Sequence, residues 1–479
     1  MAEGRGTRHR KRQRHRSRSQ GRPSSGSHRS QSVQGAGSKR ERRRRQGRAS
    51  GRRTRSGERS PRHRDGGPPH IEVEPGTALG EEGRYVVEEV FGDGASGRVL
   101  GCCDKMTGEM VAVKVARPAR RQRRHAETEV AMLQKMQRHD RELAQRHVVR
   151  LLDVFEHELS FFCIVMEPLA MNLRALLQEG EGGLYMADIR LMALQLVQCL
   201  AFFSSMGLAH GDLKCTNVML RKPDFELRPH PRLSDPDAMA ARPRWPFEVV
   251  VIDFGLANVT EPETSPEAFL FTREGPKSRL RVGARHIRAP EVILGLDWGC
   301  AADLWSLGCL LATVYTGERL FPAPRDNETA TPDTAADVVF SPQVHDEMEH
   351  LGAVELLASL PPCLVSVEGR SQLDLRHVTQ QRIPTYMASQ VAERILEKGV
   401  AFDPAGRLLW PDCADNDQQV QHVEDMPTVT EFVLERHHHF LAFLQGLMEI
   451  DPRRRLTATM ALQHPFLHKE LVTELDSEE

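Results

Sequence analysis

From Arg84 onward, short apolar runs rich in β-branched residues appear between turn residues, and the apolar spacing then lengthens to three and four. These runs predict three strands, Tyr85 to Phe91, Arg98 to Cys103 and Met110 to Val115, with the turn signal Thr107, Gly108 between the last two. Helical spacing follows, placing Val130, Leu133 and Met136 on one side. The longest apolar run, Leu191 to Ala209, is interrupted by Gln195, Gln198, Ser204 and Ser205 and preceded by Asp188 and Arg190. It predicts a buried amphipathic helix rather than a membrane span. The pattern is that of a strand-rich small lobe ahead of a helix-rich large one, an α+β chain without internal repeats.

Before residue 71 no such pattern exists. The first 70 residues hold no Phe, Trp or Tyr, and carry 23 Lys and Arg against 4 Asp and Glu. The arm is therefore at +19 and the remaining body at −20, which the net charge of −1 conceals. So polar a segment cannot bury enough surface to offset the entropy of ordering, and disorder is expected. Arg and Ser alternate over Arg16 to Ser19 and return at Arg55, Ser56 and Arg59, Ser60, a phosphorylatable pattern. The cluster Arg42 to Arg45 suits a nuclear address or weak electrostatic contact with RNA. Without aromatic platforms for bases, targeting and protein interaction are the favoured roles of the arm.

The 479 residues suffice for two lobes plus a tail. Nine scattered cysteines, an odd number without paired metal-ligand spacing, indicate neither a disulfide framework nor a zinc site, and favour a reducing compartment. No apolar core follows the first charges as a secretory signal requires. An intracellular protein is the expectation.

Gly92, Gly94 and Gly97 form G-x-G-x-x-G in GDGASGRV, a pattern that lets backbone approach phosphates closely. A dinucleotide-binding fold would place a helix directly after it, whereas here a strand continues from Val99, so the loop lies across a hairpin. Seventeen residues beyond Gly97 comes Lys114, alternating out of the buried strand VAVK. The following helix offers a carboxylate, Glu129 or less favourably Glu127, to orient that ammonium on a nucleotide's phosphates.

HGDLKCTNVML is the most informative stretch. Phosphoryl transfer needs a carboxylate to orient the attacking hydroxyl and oxygen ligands for Mg2+, and Asp212 and Asn217 have the right chemistry and spacing. Lys214 between them can neutralise charge on the transferred group. VVVIDFG then delivers Asp253 at the end of an apolar strand, as a second oxygen ligand for Mg2+.

On these motifs the chain resembles eukaryotic protein kinases over about Arg84 to Leu467. Ala289, Pro290, Glu291, then DLWSLGC from Asp303 and DPRRRLT near the end extend the match. The resemblance implies a bilobal kinase fold, with a small lobe at about 84–168 and a large lobe at about 169–468 within a domain at 71–468. It also implies an insert at about 221–246; residues 361–427 form a second insert without a family counterpart, and 469–479 an acidic tail. ATP and Mg2+ are the implied cofactors. Catalysis would fall to Asp212, Lys214 and Asn217, and metal binding to Asn217 and Asp253. ATP would be held by Gly92, Asp93, Gly94, Ala95, Ser96, Gly97, Val99, Ala112, Lys114 and Glu129. FFCIVMEPL resembles the hinge, with Met166 as gatekeeper. Pro168 has no N–H, so adenine would be held through the Glu167 carbonyl and the Leu169 amide. Glu291 and Arg455 are the implied structural ion pair of the large lobe.

RVGARHIRAPEVILGLDWGCAADLWSLGC and GRYVVEEVFGDGASGRVLGCCDKMTGEMVAVKVARP are similar to the LAMMER, or Clk-type, branch, with SR-protein kinases the nearest alternative. EHLGAVELL, Glu349 to Leu357, stands where the branch signature belongs, matching at Glu349, His350, Leu351, Glu355 and the final leucine. A monomer in the nucleus, also compatible with the cytoplasm, is the expectation. The branch implies an enzyme that phosphorylates Ser/Thr, with a dual-specificity capacity for Tyr, on Arg/Ser-rich splicing factors and so regulates pre-mRNA splicing. The rival reading is a pseudokinase scaffold gathering RNA-processing proteins through the arm. Gly211 occupies the position where many kinases carry a phosphate-reading arginine, and Asp253 to Glu291 contains no Tyr. Activity independent of activation-segment phosphorylation is the expectation.

Overall fold

The computed structural model describes residues 70–94, 96–158, 160–259, 282–293, 298–321, 421 and 428–468. The arm, Ala95, the signature segment Glu349 to Leu357, nearly all of the late insert and the acidic tail lie outside these residues.

The small lobe is one antiparallel six-stranded sheet. Its strands are β1 (Ala78–Leu79), β2 (Tyr85–Asp93), β3 (Gly97–Asp104), β4 (Met110–Ala116), β5 (Leu151–His157) and β6 (Phe161–Met166), in the order β1-β2-β3-β4-β6-β5. In β4 the β-branched Val111, Val113 and Val115 face one way into a core with Leu100, Cys102, Cys163 and Val165. Ala112 and Lys114 therefore face the other way. The long helix α1 (Arg120–His139) buries Ala126, Glu129, Val130, Leu133 and Met136, the side its periodicity predicts. A short helix, α2 (Arg141–His147), follows, capped by Asp140, whose side chain accepts the Leu143 N–H at 2.9 Å.

The lobe begins earlier than the predicted strands indicate. Ile71 and Leu79 are buried in its core, at 7% and 0% exposure. Two apolar residues eight positions apart carry no period, so sequence pattern alone does not enlist them.

The large lobe is built around α4 (Met186–Ser205) and α6 (Cys300–Thr316), with α3 (Leu173–Gln178), α5 (Pro290–Ile293), α7 (Val429–Phe432), α8 (His438–Leu447) and α9 (Ala458–Leu462). By length and composition α4 could cross a membrane, but its apolar side chains are buried inside the lobe. The run expected to be helical to Ala209 instead ends at Ser205. Gly207, at φ 60°, turns the chain into β7 (Leu208–Ala209). Three further short strands bear on the site: β8 (Val218–Leu220), β11 (Val249–Val251), which pairs with β8, and β12 (Asn258–Val259), which pairs with β7.

The insert at 221–246 folds as a hairpin, β9 (Phe225–Pro229) against β10 (Met239–Pro243). Side chains fasten it to the lobe. Trp245 Nε1 donates to Oδ1 of the fully buried Asp188 at 2.5 Å, and Arg242 Nε lies 3.3 Å from Oδ2. Arg232 donates to the carbonyls of Leu184 and Tyr315, both at 2.7 Å, with its guanidinium 4.2 Å over the Tyr315 ring.

Candidate active site

The glycine-rich loop joins β2 to β3. Gly94 N–H donates to the Gly97 carbonyl at 2.8 Å, which closes the turn. A Cβ at Gly97 would sit 2.2 Å from the Val115 carbonyl oxygen, so only glycine lets β3 start this close to β4. Register then places Val99 opposite Lys114, and Ala112 opposite Met166. The small residue Ala112 thereby lies beside the buried Met166 at the end of β6.

Lys114 Nζ lies 2.6 Å from Glu129 Oε2 and 3.0 Å from Asp253 Oδ1. These three residues, 139 positions apart at the extremes, thus converge on one ammonium. The choice between the two carboxylates of α1 falls on Glu129, because Glu127 pairs with Arg123 at 2.9 Å on the exposed side. Enclosure opposes charge on Asp253, but the Lys114 ammonium outweighs it and holds the carboxyl down at about 2. Burial would also discharge Lys114, yet Asp253 and Glu129 keep its pKa above the ordinary lysine value.

Asp253 adopts φ 65°, a left-handed conformation unusual for any residue but glycine. Phe254 next to it is fully buried, edge-on to Phe203 and His210 at ring separations of 5.6 and 4.9 Å. That packing fixes the turn in which the Asp253 carboxylate is presented.

The HGDLKCTN loop runs between β7 and β8. Lys214 Nζ lies 2.9 Å from Asp212 Oδ2. Asn217 Nδ2 donates to the Asp212 carbonyl at 2.9 Å and to its Oδ2 at 3.2 Å. The Ala284 N–H donates to Asp212 Oδ1 at 3.0 Å. Both carboxylate oxygens of Asp212 are thus oriented, and Asn217 Oδ1 remains as an acceptor. The Ile252 N–H donates to the Asn217 carbonyl at 3.0 Å, which ties this loop to the strand end carrying Asp253.

Among the described residues no three His, Cys, Asp or Glu side chains gather as a metal cage. An Asp carboxylate and an Asn carbonyl suit Mg2+, which keeps waters and takes other ligands from substrate phosphates.

At the hinge, the Glu167 N–H donates to the Arg150 carbonyl at 3.1 Å and the Ala170 N–H to the Leu220 carbonyl at 3.0 Å. The Glu167 carboxylate accepts the Arg150 N–H at 3.0 Å and Arg221 Nη1 at 2.8 Å. Leu169 between them is partly buried against the large-lobe core. Glu291 and Arg455 form a bidentate pair, 2.7 and 3.0 Å, both side chains almost without solvent contact.

Sequence reasoning missed three positioning groups. Asp303, at the start of α6, accepts the N–H groups of His210 and Gly211; a carboxylate opening an apolar helix was the available signal. The Ala284 amide and the Arg221 guanidinium carried none, since their partners are set by tertiary structure.

The protein kinase domain model matches residues 85–467 of this chain. The chain belongs to the protein kinase family. This kinase is 30% identical over 390 residues to Serine/threonine-protein kinase AFC2 of Arabidopsis thaliana, covering 80% of itself and 76% of that protein. It is 28% identical over 404 residues to Dual specificity protein kinase CLK1 of Mus musculus, covering 83% and 68%. Among solved structures, the crystal structure of a kinase domain aligns with a TM-score of 0.64 at 26% identity, over 83% of this chain and 99% of that one. The relatives agree with the Clk-type branch that the motifs point to.

Proposed function

We propose that this kinase transfers the γ-phosphate of ATP to serine and threonine hydroxyls, and in a second capacity tyrosine, of Arg/Ser-rich splicing proteins in the nucleus. The observation that carries the reading is the convergence of Lys114, Glu129 and Asp253, beside an Asp212 whose carboxylate is oriented by Lys214, Asn217 and the Ala284 amide.

In this reading Lys114, aligned by Glu129, takes the ATP phosphates as they enter beneath the glycine-rich loop. Asp253 and Asn217 would hold Mg2+, which when bound offsets the negative charge of the phosphates. Asp212 Oδ2 orients the acceptor hydroxyl and takes its proton as the new bond to the γ-phosphorus forms and the bond from that phosphorus to the bridging oxygen breaks, with ADP leaving. Lys214, 2.9 Å from Asp212, neutralises charge on the group in flight. Adenine lies against Val99, Ala112 and Met166, with the Glu167 carbonyl and the Leu169 amide as its backbone partners.

The substrate class is supported by three features. The relatives are named as serine/threonine and dual-specificity protein kinases. The body beyond residue 70 carries −20, which attracts arginine-rich chains by electrostatic steering. The chain bears an Arg/Ser arm of its own, in which Ser56 and Ser60 are candidate autophosphorylation sites.

Kinase assays comparing an Arg/Ser-repeat peptide with an equally basic peptide whose serines are not flanked by arginine test this. The reading predicts strong preference for the repeat; equal labelling of both removes the substrate class while leaving the enzyme.

A further inference from the structure

Two guanidinium groups tie the glycine-rich loop to the chain segment that precedes the sheet. Arg98, at the start of β3, places Nε 2.6 Å from Asp93 Oδ1 and Nη2 2.9 Å from Oδ2. Its remaining Nη1 donates to the Ile71 carbonyl at 2.8 Å. One planar fork therefore clamps both limbs of the hairpin and fastens them to residue 71. Arg117, just beyond β4, makes a second tie. Its backbone N–H donates to the Ser96 carbonyl at 3.2 Å, and its Nη2 meets His70 Nε2 at 2.7 Å and the Gly94 carbonyl at a longer 3.4 Å.

The anchor is firm because Ile71 is buried in the small-lobe core, 7% exposed. The bond to Arg98 holds the Asp93 carboxyl below the usual carboxylate range, against the opposing effect of burial. A glycine-rich loop approaches phosphates closely but loses much conformational freedom when it orders. A loop braced before ATP arrives has less to lose on binding.

We infer that Arg98 and Arg117 are positioning residues for the nucleotide, holding the glycine-rich loop in its ATP-binding shape by anchoring it to His70 and Ile71. The inference rests on the kinase reading of the loop. It extends the ATP site to the residues at which the Arg/Ser arm joins the domain, and assigns Asp93 to the brace rather than to the phosphates.

The test uses full-length protein and compares wild type with Arg98→Met, Arg98→Lys, Arg117→Met, Asp93→Asn and the Arg98→Met/Asp93→Asn double variant. KM for MgATP, KM for the protein acceptor, kcat and the nucleotide-free melting temperature are measured for each. Arg98→Met and Asp93→Asn should each raise KM for ATP about fivefold and Arg117→Met about threefold, with kcat and acceptor KM within about twofold of wild type. The double variant should be no worse than Arg98→Met, because that change already removes both the Asp93 pair and the Ile71 tie. Arg98→Lys, which keeps the charge but not the fork, should restore ATP affinity only in part. If Arg98→Met melts below the assay temperature, Asp93→Asn decides alone, since the Asp93 side chain is 47% exposed. Unchanged KM for ATP, equal changes in all three constants, or fully additive effects overturn the brace. Wild-type turnover in the same assay reports separately on the kinase reading itself.

Discussion

Asp303 Oδ1 accepts the backbone N–H of Gly211 at 2.9 Å, joining residues 92 positions apart. Its other oxygen takes the His210 N–H at 2.6 Å, so one buried carboxylate sets the backbone immediately before Asp212. Two amides compensate a group that burial would otherwise discharge, and burial still leaves its pKa above the ordinary value. Changing Asp303 to Asn keeps the shape but replaces one acceptor with a donor facing an N–H. Phosphate transfer should fall by about two orders of magnitude, as expected for a displaced reacting group, while ATP affinity stays near wild type. A parallel loss of ATP affinity would mean that the whole lobe had shifted.

Gly211 adopts φ 77°, and a Cβ there would stand 3.1 Å from the Leu256 carbonyl, with Trp298 and Val282 close by. No side chain at this position reads a phosphate, and the Lys114–Glu129 pair forms through direct contact. Phosphatase-treated kinase should therefore retain at least about half of its turnover. Loss of most of it contradicts this account.

Much of the site was legible because its chemistry is written in local strings. Lys114 alternates out of an apolar strand, Asp212 and Asn217 share one loop, and Asp253 ends a strand. Even the preference for Glu129 over Glu127 follows helical spacing, with Glu129 on the buried side of α1. What was not legible depends on distance in the chain. The ties of Arg98 to the Ile71 carbonyl and of Arg221 to the Glu167 carboxylate join an exposed-looking cation to a distant partner, where sequence offers no period. The insert hairpin was legible only as length, because its β9 and β10 alternate weakly and its anchors, Trp245 and Arg242, find Asp188 in the first turn of α4, far off in the chain.

The Glu291–Arg455 pair is buried, and Arg455 also donates to the carbonyls of Ala301, Glu449 and Ile450. Arg455→Met strands the Glu291 carboxylate and should cost about 3–5 kcal/mol of stability, read from denaturant unfolding. Turnover per folded molecule should stay within about threefold of wild type, since neither group reaches the transferred phosphate. A large fall in kcat at unchanged stability would give the pair a catalytic part.

Two buried histidines set an acid limit. Burial first, then nearby arginines, lower His437 and His147 from the ordinary 6.5 to about 4. Between those values the unfolded chain binds protons that the folded protein does not, so stability is complete above pH 6.5 and falls as pH drops toward 4. Each histidine contributes at most about 3 kcal/mol across that window. The Tyr315 hydroxyl pairs with His437 Nδ1 at 3.0 Å, a bond that needs the neutral imidazole if the hydroxyl donates. Urea midpoints measured from pH 7 to 4.5 should decline for wild type and decline less for His437→Asn; identical slopes refute the assignment.

The most direct test of the central claim is transfer of labelled phosphate from MgATP to an Arg/Ser-rich protein by wild type and Asp212→Asn. Wild type should label the acceptor. The variant should label it about 10²- to 10⁴-fold more slowly while folding and binding ATP as before. Equal labelling by the two proteins, or none by either, contradicts the assignment of Asp212 as the group that takes the acceptor's proton.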